Sequence, residues 1–158
     1  ELCIVGSEMC IRDRFELVNQ TSAVFGKKDA QQLYLVKEFF ANKSNNLKII
    51  EAEIIRDEYG LAMSSRNRLL SKSGINIARN IFQILENTKE HFIQNQDIQQ
   101  SEDFGKKLFD ENAIEYDYLN FVDPKYFETP DSNREKLLLI TAAYVQGIRL
   151  IDNMEVIQ

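Results

Sequence analysis

Apolar residues follow two different spacings in the first third of the chain. A short run of small apolar residues predicts a strand over residues 22–25, and helical spacing predicts a helix over about 29–41. A second short strand is predicted at 47–50, after a polar turn at 42–46. A helix between two strands with short connections is typical of a parallel α/β sheet. Because these elements are too few to close a core, we expect the tail of a larger domain.

Helical spacing returns in the middle of the chain. It predicts a helix over about 74–92, capped by Ser73, followed by a polar linker at 94–100 and a second helix over about 101–111. The residues predicted to share the buried face of the first of these helices are Ile77, Ile81, Ile84, Leu85 and Thr88. Those predicted to point inward from the second are Phe104, Leu108 and Phe109.

The last third of the chain is predicted to be rich in strands. Residues 116–122 are aromatic and alternate, and two long apolar runs follow at 137–145 and 148–156. Only Gln146 and Gly147 separate those two runs, which predicts an antiparallel hairpin. We therefore expect an α/β protein whose second part is a small α+β domain.

Composition and charge limit the classes of partner. The net charge of −6 and the pI near 4.9 argue against a general binder of nucleic acid or anionic membranes. No apolar run approaches the roughly 20 residues of a membrane helix, and no signal-peptide pattern is visible, so we expect a soluble cytoplasmic protein. The one histidine, His91, has no nucleophile beside it and is interpreted as a structural residue near a helix end.

Residues 1–14 have a character of their own. They contain both cysteines, Cys3 and Cys10, and the string resembles a translated sequencing-library adapter. We therefore predict an adventitious segment. Without it the chain has no cysteine, which would exclude disulfides and thiolate chemistry. The alternative is a genuine short edge strand over residues 2–5.

Two polar stretches carry the candidate chemistry. In residues 25–33, Gly26 lies where a strand turns into a helix, and unpaired N–H groups there favour phosphate. Lys28 adds a positive charge, and the spacing of Asp29 and Gln32 is typical of a helix cap and its return partner. The alternative is an ordinary capped helix with solvated lysines.

The second stretch, residues 60–67, combines two hydroxyls with a guanidinium. Arg66 can grip phosphate oxygens with two parallel hydrogen bonds, and Ser64 and Ser65 add neutral donors. The alternative is a helix cap or a surface turn.

Taken together and in this order, the two stretches resemble the nucleotide-binding signatures of the pantothenate synthetase (pantoate–β-alanine ligase) family. That family's F-G-E-K-D-x-Q-Q-L appears at residues 25–33 and its D-G-L-A-M-S-S-R-N at 59–67. Its closing R-L-I-D-N appears at 149–153, so the resemblance covers residues 15–158. This chain departs from the family's P-T-x-R-E-x-D-G. The departing residues are Glu53, Ile54, Asp57 and Tyr59.

The resemblance implies two domains and a reaction. Residues 15–54 would be the C-terminal part of a Rossmann-like nucleotidyltransferase domain that binds ATP and pantoate, and 55–158 a C-terminal α+β domain carrying the Ser-Ser-Arg loop. The implied reaction is the ATP-dependent condensation of pantoate with β-alanine through pantoyl adenylate, with Mg²⁺ on the phosphates and a homodimeric parent enzyme. No carboxylate cluster identifies a protein ligand for the magnesium.

The resemblance also assigns residues. Those implied to contact ATP are Gly26, Lys27, Lys28, Asp29, Ile55, Met63, Ser64, Ser65 and Arg66. The implied catalytic group is Lys28, Ser64, Ser65 and Arg66, and Gln32 would hydrogen-bond pantoate. Ile55 would hold the adenine through its backbone. Lys27 stands where the family usually has glutamate, which weakens its assignment.

One family motif is missing from these 158 residues. The P-T-M-G-x-L-H-x-G-H sequence supplies the family's phosphate-stabilising histidines, and the chain contains no such sequence. We therefore expect a fragment that is inactive alone. Two alternatives are another nucleotidyltransferase of the same superfamily and a non-catalytic nucleotide-binding module.

Overall fold

The computed structural model describes residues 21–41, 47–130 and 136–157. The chain divides into two compact units, the first ending at Glu53 and the second beginning at Ile54, and each is described by itself. The predictions for residues 1–14 and 42–46 lie outside the described residues. Within the described ranges, no helix combines the length and the hydropathy that a membrane-spanning segment requires.

The first unit consists of a helix between two parallel strands. Its elements are β1 (Ser22–Gly26), α1 (Ala30–Ala41) and β2 (Lys48–Ala52). The strands pair in parallel from Ser22 opposite Lys48 to Gly26 opposite Ala52. Helix α1 turns Leu33, Val36 and Phe40 inward, which is the spacing that the sequence indicated. The predicted strand–helix–strand order is confirmed.

The second unit packs two helices on a three-stranded sheet. After a short 3-10 helix (Ser65–Leu69), its elements are α2 (Lys72–Asn95), α3 (Ile98–Glu111), β3 (Glu115–Val122), β4 (Lys136–Val145) and β5 (Ile148–Ile157). The strand order is β3-β4-β5 and both pairings are antiparallel. The predicted fold class is therefore confirmed: an α/β protein with a parallel sheet, followed by an α+β part containing an antiparallel hairpin.

The β4–β5 hairpin turns at the predicted dipeptide. Gln146 and Gly147 have φ values of 52° and 74°, and Val145 pairs with Ile148 directly across the turn. Two successive positive φ values are typical of the two-residue turn whose twist matches that of the flanking strands. The turn therefore fixes the register of β5 along β4.

The core of the second unit lies between the helices and one face of the sheet. Alternate residues of β4 face it, and Phe92 of α2 packs against Phe121 of β3 with ring centroids 4.9 Å apart. Large side chains below 2% exposure include Phe92, Phe109, Phe121, Ile84, Leu85, Leu119 and Leu139. Of the residues predicted to point inward from α3, Phe109 is fully buried, and Phe104 and Leu108 are partly buried.

The start of α2 differs from the prediction. Ser71, rather than Ser73, caps the helix, because Ser71 is extended (φ −70°, ψ 169°) and its hydroxyl accepts from the Gly74 N–H. Ser73 lies within the first turn. Ile77, predicted to be buried, is 40% exposed because the buried face instead runs through Gly74 and Ala78.

The polar linker predicted at 94–100 is much shorter in the structure. Only Gln96 and Asp97 separate the two helices: Gln96 ends α2 in the left-handed region (φ 55°), and the Asp97 carboxylate accepts from the Gln100 N–H. Of the polar residues that suggested a linker, Gln94 and Asn95 are exposed at the end of α2, and Gln99 and Gln100 are exposed in the first turn of α3. Polarity alone did not separate a solvated helix face from a loop.

Candidate functional site

The first stretch lies at the carboxyl end of β1 and the start of α1. The Lys27 N–H donates to the Ala52 carbonyl (2.8 Å), and the turn begins directly after this bond. Asp29 caps α1, since its carboxylate accepts from the Gln32 N–H at 3.3 Å. Among the described residues, no atom lies within 4 Å of where a Gly26 Cβ would be, so a ligand can approach this backbone closely. The predicted strand-to-helix turn and its cap are therefore present.

Lys27 and Lys28 lie in this turn, and Gln32 lies in the first turn of α1. The Lys27 ammonium contacts the Glu53 carboxylate at 2.6 Å, so two of the departures from the family pattern form an ion pair with each other. Lys28 and Gln32 are both partly buried. The charge of Lys27 is thus engaged with a carboxylate of the chain itself, which agrees with its weaker assignment to ATP.

The second stretch begins with a tight turn, the 55–63 turn. Arg56 bridges to Ala62, and the Met63 N–H donates to the Ile55 carbonyl (2.8 Å). Asp57 organises its tip, because one carboxylate oxygen accepts from the N–H groups of both Tyr59 and Leu61 at 2.9 Å. The turn is thus organised by Asp57 although Tyr59 replaces the family's aspartate.

The electrostatics of the turn favour ionised Asp57. Burial raises the pKa of Asp57, but the N–H donors of Leu61 and Tyr59, together with Arg79, bring the net pKa below its ordinary value of 3.8. The Arg79 guanidinium donates to Asp57 at 3.0 Å and lies 3.8 Å from the Tyr59 ring centroid. The carboxylate is therefore charged and fully engaged near neutral pH.

Two apolar side chains flank the turn. Ile55 is 75% exposed and Met63 is 54% exposed, and their backbones are joined by the Met63–Ile55 hydrogen bond. The Ile55 carbonyl retains a second lone pair for another donor. An exposed apolar pair beside a backbone acceptor is suited to a flat heteroaromatic ring.

The serine pair opens the short 3-10 helix. Ser64 caps it by accepting from the Arg66 N–H at 3.2 Å, as the structural alternative for this stretch expected, and Ser65 is its exposed first residue. An open cavity of about 500 Å³ lies beside them. The residues lining it are Met63, Ser64, Ser65, Asn67 and Arg68. Ser64 thus combines a capping role with a position on the cavity wall.

The two arginines of this segment have different surroundings. The Arg66 guanidinium donates to the Arg149 carbonyl on β5 at 3.0 Å, whereas Arg68 lines the cavity. Sequence reasoning missed Arg68, and its signal was the second arginine of Ser-Arg-Asn-Arg at 65–68. Arg149 is itself paired with Asp117 (2.6 Å), and this hydrogen bond raises the pKa of Arg149 above its ordinary value.

The remaining predictions concern metal, histidine and the meeting of the two stretches. Within the described ranges, no cluster of three or more His, Cys, Asp or Glu could hold a metal ion. His91 stacks on Phe104 (centroids 4.5 Å apart) and shares a hydrogen bond with Ser101, which agrees with the structural role predicted for it. Lys28 belongs to the first unit and Arg66 to the second, so their convergence on one site stays a prediction.

Comparison with known proteins supplies the family. The family model described as Pantoate-beta-alanine ligase matches residues 6–155. The chain belongs to this family. The match begins upstream of Phe15, so the expected start of the resemblance was wrong. Residues 6–14 lie inside the matched region, and the adventitious origin of residues 1–14 stays a prediction.

Similar proteins with assigned names are pantothenate synthetases. Those of Vesicomyosocius okutanii and Marinomonas sp. are 36% and 34% identical to the chain over 143 and 154 residues. These alignments cover 89% and 96% of this chain but 49% and 54% of the relatives. The chain thus spans about half the length of the curated relatives it matches.

Solved structures agree on the fold. A crystal structure of pantothenate synthetase from Thermus thermophilus matches 94% of this chain and 54% of its own, with a TM-score of 0.86 and 28% identity. A pantoate-beta-alanine ligase from Francisella tularensis, complexed with beta-gamma ATP and beta-alanine, matches 91% of this chain and 47% of its own. Its TM-score of 0.65 at 24% identity supports the fold alone.

Proposed function

We propose that this chain supplies the ATP-binding loops of a pantoate–β-alanine ligase. In the proposed reaction a pantoate carboxylate oxygen attacks the α-phosphorus of ATP, and pyrophosphate leaves. The amine of β-alanine then attacks the acyl carbon of pantoyl adenylate, loses a proton and displaces AMP. The observation that carries the proposal is the cavity of about 500 Å³ beside Ser64 and Ser65, in a chain whose family is shown.

The phosphates would be held by fixed donors from both stretches. Gly26 is exposed and Lys28 lies in the turn directly before α1, so the N–H groups of the helix start and the charge of Lys28 would favour an anion there. Ser64 and Ser65 offer hydroxyl donors at the cavity wall. Donors held in place before the reaction stabilise the charge that develops as the α-phosphorus is attacked.

Arg66 would bind phosphate either in addition to its present partner or in place of it. Its guanidinium donates to the Arg149 carbonyl, and an arginine has five N–H donors, so phosphate can be bound by the remaining ones or by a small rotation. Arg68, which lines the cavity, is a second cation for the same phosphates. The adenine ring would lie against Ile55 and Met63, with the Ile55 carbonyl as the acceptor for its amino group.

Other family features remain predictions. Gln32 would contact pantoate from the first turn of α1. Mg²⁺ would be bound mainly by ATP oxygens and water, the usual arrangement for this ion. When bound, the ion would neutralise phosphate charge. A homodimeric parent enzyme rests on the resemblance alone, and a cytoplasmic location rests on the sequence pattern.

A specific observation favours a second candidate function for the isolated chain. The family's histidine motif is not in the 158 residues, so we propose that the chain binds ATP without completing adenylation. The isolated chain would then act as a nucleotide-binding module, and pantothenate would be formed only when the histidine motif is supplied.

Calorimetric titration of the chain with Mg·ATP tests the proposal. Replacing Ser64 and Ser65 together by alanine is expected to weaken binding about tenfold or more, because two donors to charged oxygens are lost. Ser73→Ala is the matched control, since Ser73 is an exposed serine in the first turn of α2. Wild-type binding that is undetectable, or insensitive to the double change, would contradict the proposal.

A further inference from the structure

The guanidinium of Arg56 joins the 55–63 turn to strand β5. Its Nη1 donates to Asp152 Oδ2 at 2.7 Å and to the Gly60 carbonyl at 2.9 Å. Its Nη2 donates to Asp152 Oδ1 at 2.9 Å and to the Asn153 carbonyl at 3.0 Å. The cation also lies 4.7 Å from the centroid of the Phe82 ring. One side chain thus contacts the turn, the sheet and helix α2.

This ion pair is far less exposed than a surface pair of the same unit. The Asp152 side chain is 5% exposed and that of Arg56 21%, whereas the Lys107–Glu111 pair on α3 is 74% and 55% exposed. Two parallel bonds between a guanidinium and a carboxylate fix the direction of both groups. Removing one partner of a buried pair leaves an uncompensated charge, so the contact is costly to break.

The ion pair is connected by a short length of backbone to residues 63–66, the serine loop. Arg56 bridges to Ala62, and the next hydrogen bond of the same turn joins the Met63 N–H to the Ile55 carbonyl. Ser64 follows immediately, and the Asn67 amide donates back to the Ala62 carbonyl at 3.2 Å. A shift of the Arg56 side chain would therefore displace the backbone that presents residues 63–65.

Strand β5 also contacts the far side of the same loop. Arg66 donates to the Arg149 carbonyl, one end of the family's closing motif, while Asp152 and Asn153 at the other end bind Arg56. The closing motif at 149–153 therefore contacts the serine loop through Arg66 and the 55–63 turn through Arg56.

We propose that Arg56 and Asp152 are positioning residues for the nucleotide. Their ion pair holds the 55–63 turn against β5. The backbone of this turn then positions Ile55, Met63 and Ser64 where the adenine and the phosphates would bind. The nucleotide part rests on the function proposed above. Misplacing a binding group by about 1 Å can cost roughly a hundredfold in activity. The Arg56–Asp152 ion pair would therefore affect binding and catalysis without contacting ATP itself.

Amide hydrogen exchange and Mg·ATP titration of the chain, applied to Asp152→Asn, test the proposal. The substitution keeps the shape of the side chain and removes its charge. The matched control is Glu102→Gln, a carboxylate with a 13% exposed side chain on α3 that accepts from the Phe121 N–H at 2.8 Å, on the β3 side of the sheet. Both variants lower global stability, but only Asp152→Asn is expected to open the turn.

In Asp152→Asn, the Met63 and Asp57 amides are expected to exchange about tenfold to a hundredfold faster than the loss of global stability accounts for. The affinity for Mg·ATP is expected to fall at least about tenfold in the same variant. In Glu102→Gln, the exchange of these two amides changes only in step with global stability. If Asp152→Asn does not fold, Arg56→Lys takes its place, because lysine keeps the charge but cannot make the bidentate hydrogen bonds of a guanidinium.

Two results would overturn the inference. One is that the Met63 and Asp57 amides of Asp152→Asn or Arg56→Lys exchange only as much faster as the loss of global stability explains, as in the control. The other is faster exchange of the turn with unchanged affinity for Mg·ATP, which would limit the ion pair to a structural role. Failure of the wild-type chain to bind Mg·ATP would overturn the proposed function and the nucleotide part together, and the exchange data would still decide whether Arg56 and Asp152 hold the turn.

Discussion

Gly60 is the residue whose substitution the structure predicts in most detail. Its φ of +90° is disfavoured for any residue with a Cβ, and an added Cβ would fall on the Phe82 ring, 2.6 Å from Cγ. Gly147 is a matched comparison, because its φ is also positive (+74°) but no atom of the described residues lies within 4 Å of an added Cβ. The pair separates backbone strain from steric overlap.

The expected costs follow from these two terms. Forcing an L-residue into the left-handed region costs about 1–2 kcal/mol, which is the whole cost expected for Gly147→Ala. Overpacking against a ring that cannot simply swing away adds about 1–3 kcal/mol, so Gly60→Ala is expected to lower the free energy of unfolding by about 2–5 kcal/mol. The Gly60 carbonyl would move with its backbone and weaken its bond from Arg56.

Urea denaturation of the chain, followed by circular dichroism, measures both costs. In a Phe82→Ala background the ring is gone, and the difference between Gly60→Ala and Gly147→Ala is expected to shrink toward zero. Overlap with the Phe82 ring is refuted as a cause if Gly60→Ala costs no more than Gly147→Ala, or if removing the ring leaves their difference unchanged.

Two further predictions concern charged groups of the second stretch. Because the pKa of folded Asp57 lies below its ordinary 3.8, its ionised form stabilises the protein above that pH, and this contribution is lost as the pH falls through the folded pKa. Urea denaturation of Asp57→Asn against wild type should therefore show a difference near neutral pH that narrows below pH 3.8, and a difference that widens in acid would contradict this. Arg66→Ala and Arg68→Ala should each weaken Mg·ATP binding about tenfold or more, measured by calorimetry against Lys107→Ala on α3, and no change in either arginine variant would remove that residue from the site.

The fold was largely predictable because its signals are local. The spacing in α1 and the Gln146–Gly147 turn each depend on a few neighbouring residues, and both appear in the structure as predicted. The beginning of α2 was not predicted correctly, since Ser71 and Ser73 are equally good caps until the backbone angles are known. Gly74, on the buried face of α2, lies close to the Gln146 side chain, a contact between residues far apart in sequence that helical spacing could not predict.

The residues of the candidate site could be named from the family motifs, but their hydrogen-bond partners could not. The hydroxyls of Ser64 and Ser65 could be named from the sequence. In contrast, the partner of Arg66 is a backbone carbonyl 83 positions away, and that of Arg56 is a carboxylate 96 positions away. No spacing rule reports such pairs. Arg68 was overlooked because the family motif ends at Asn67, although the short helix directs Arg68 to the cavity.

We propose that residues 26–29 and 63–66 bind the same ATP molecule. The most direct test is a titration of the isotopically labelled chain with Mg·ATP, in which backbone amide resonances are followed by NMR. We expect the amides of both segments to shift together and to saturate with a single dissociation constant. Shifts confined to one segment, or two segments that saturate with different dissociation constants, would contradict it.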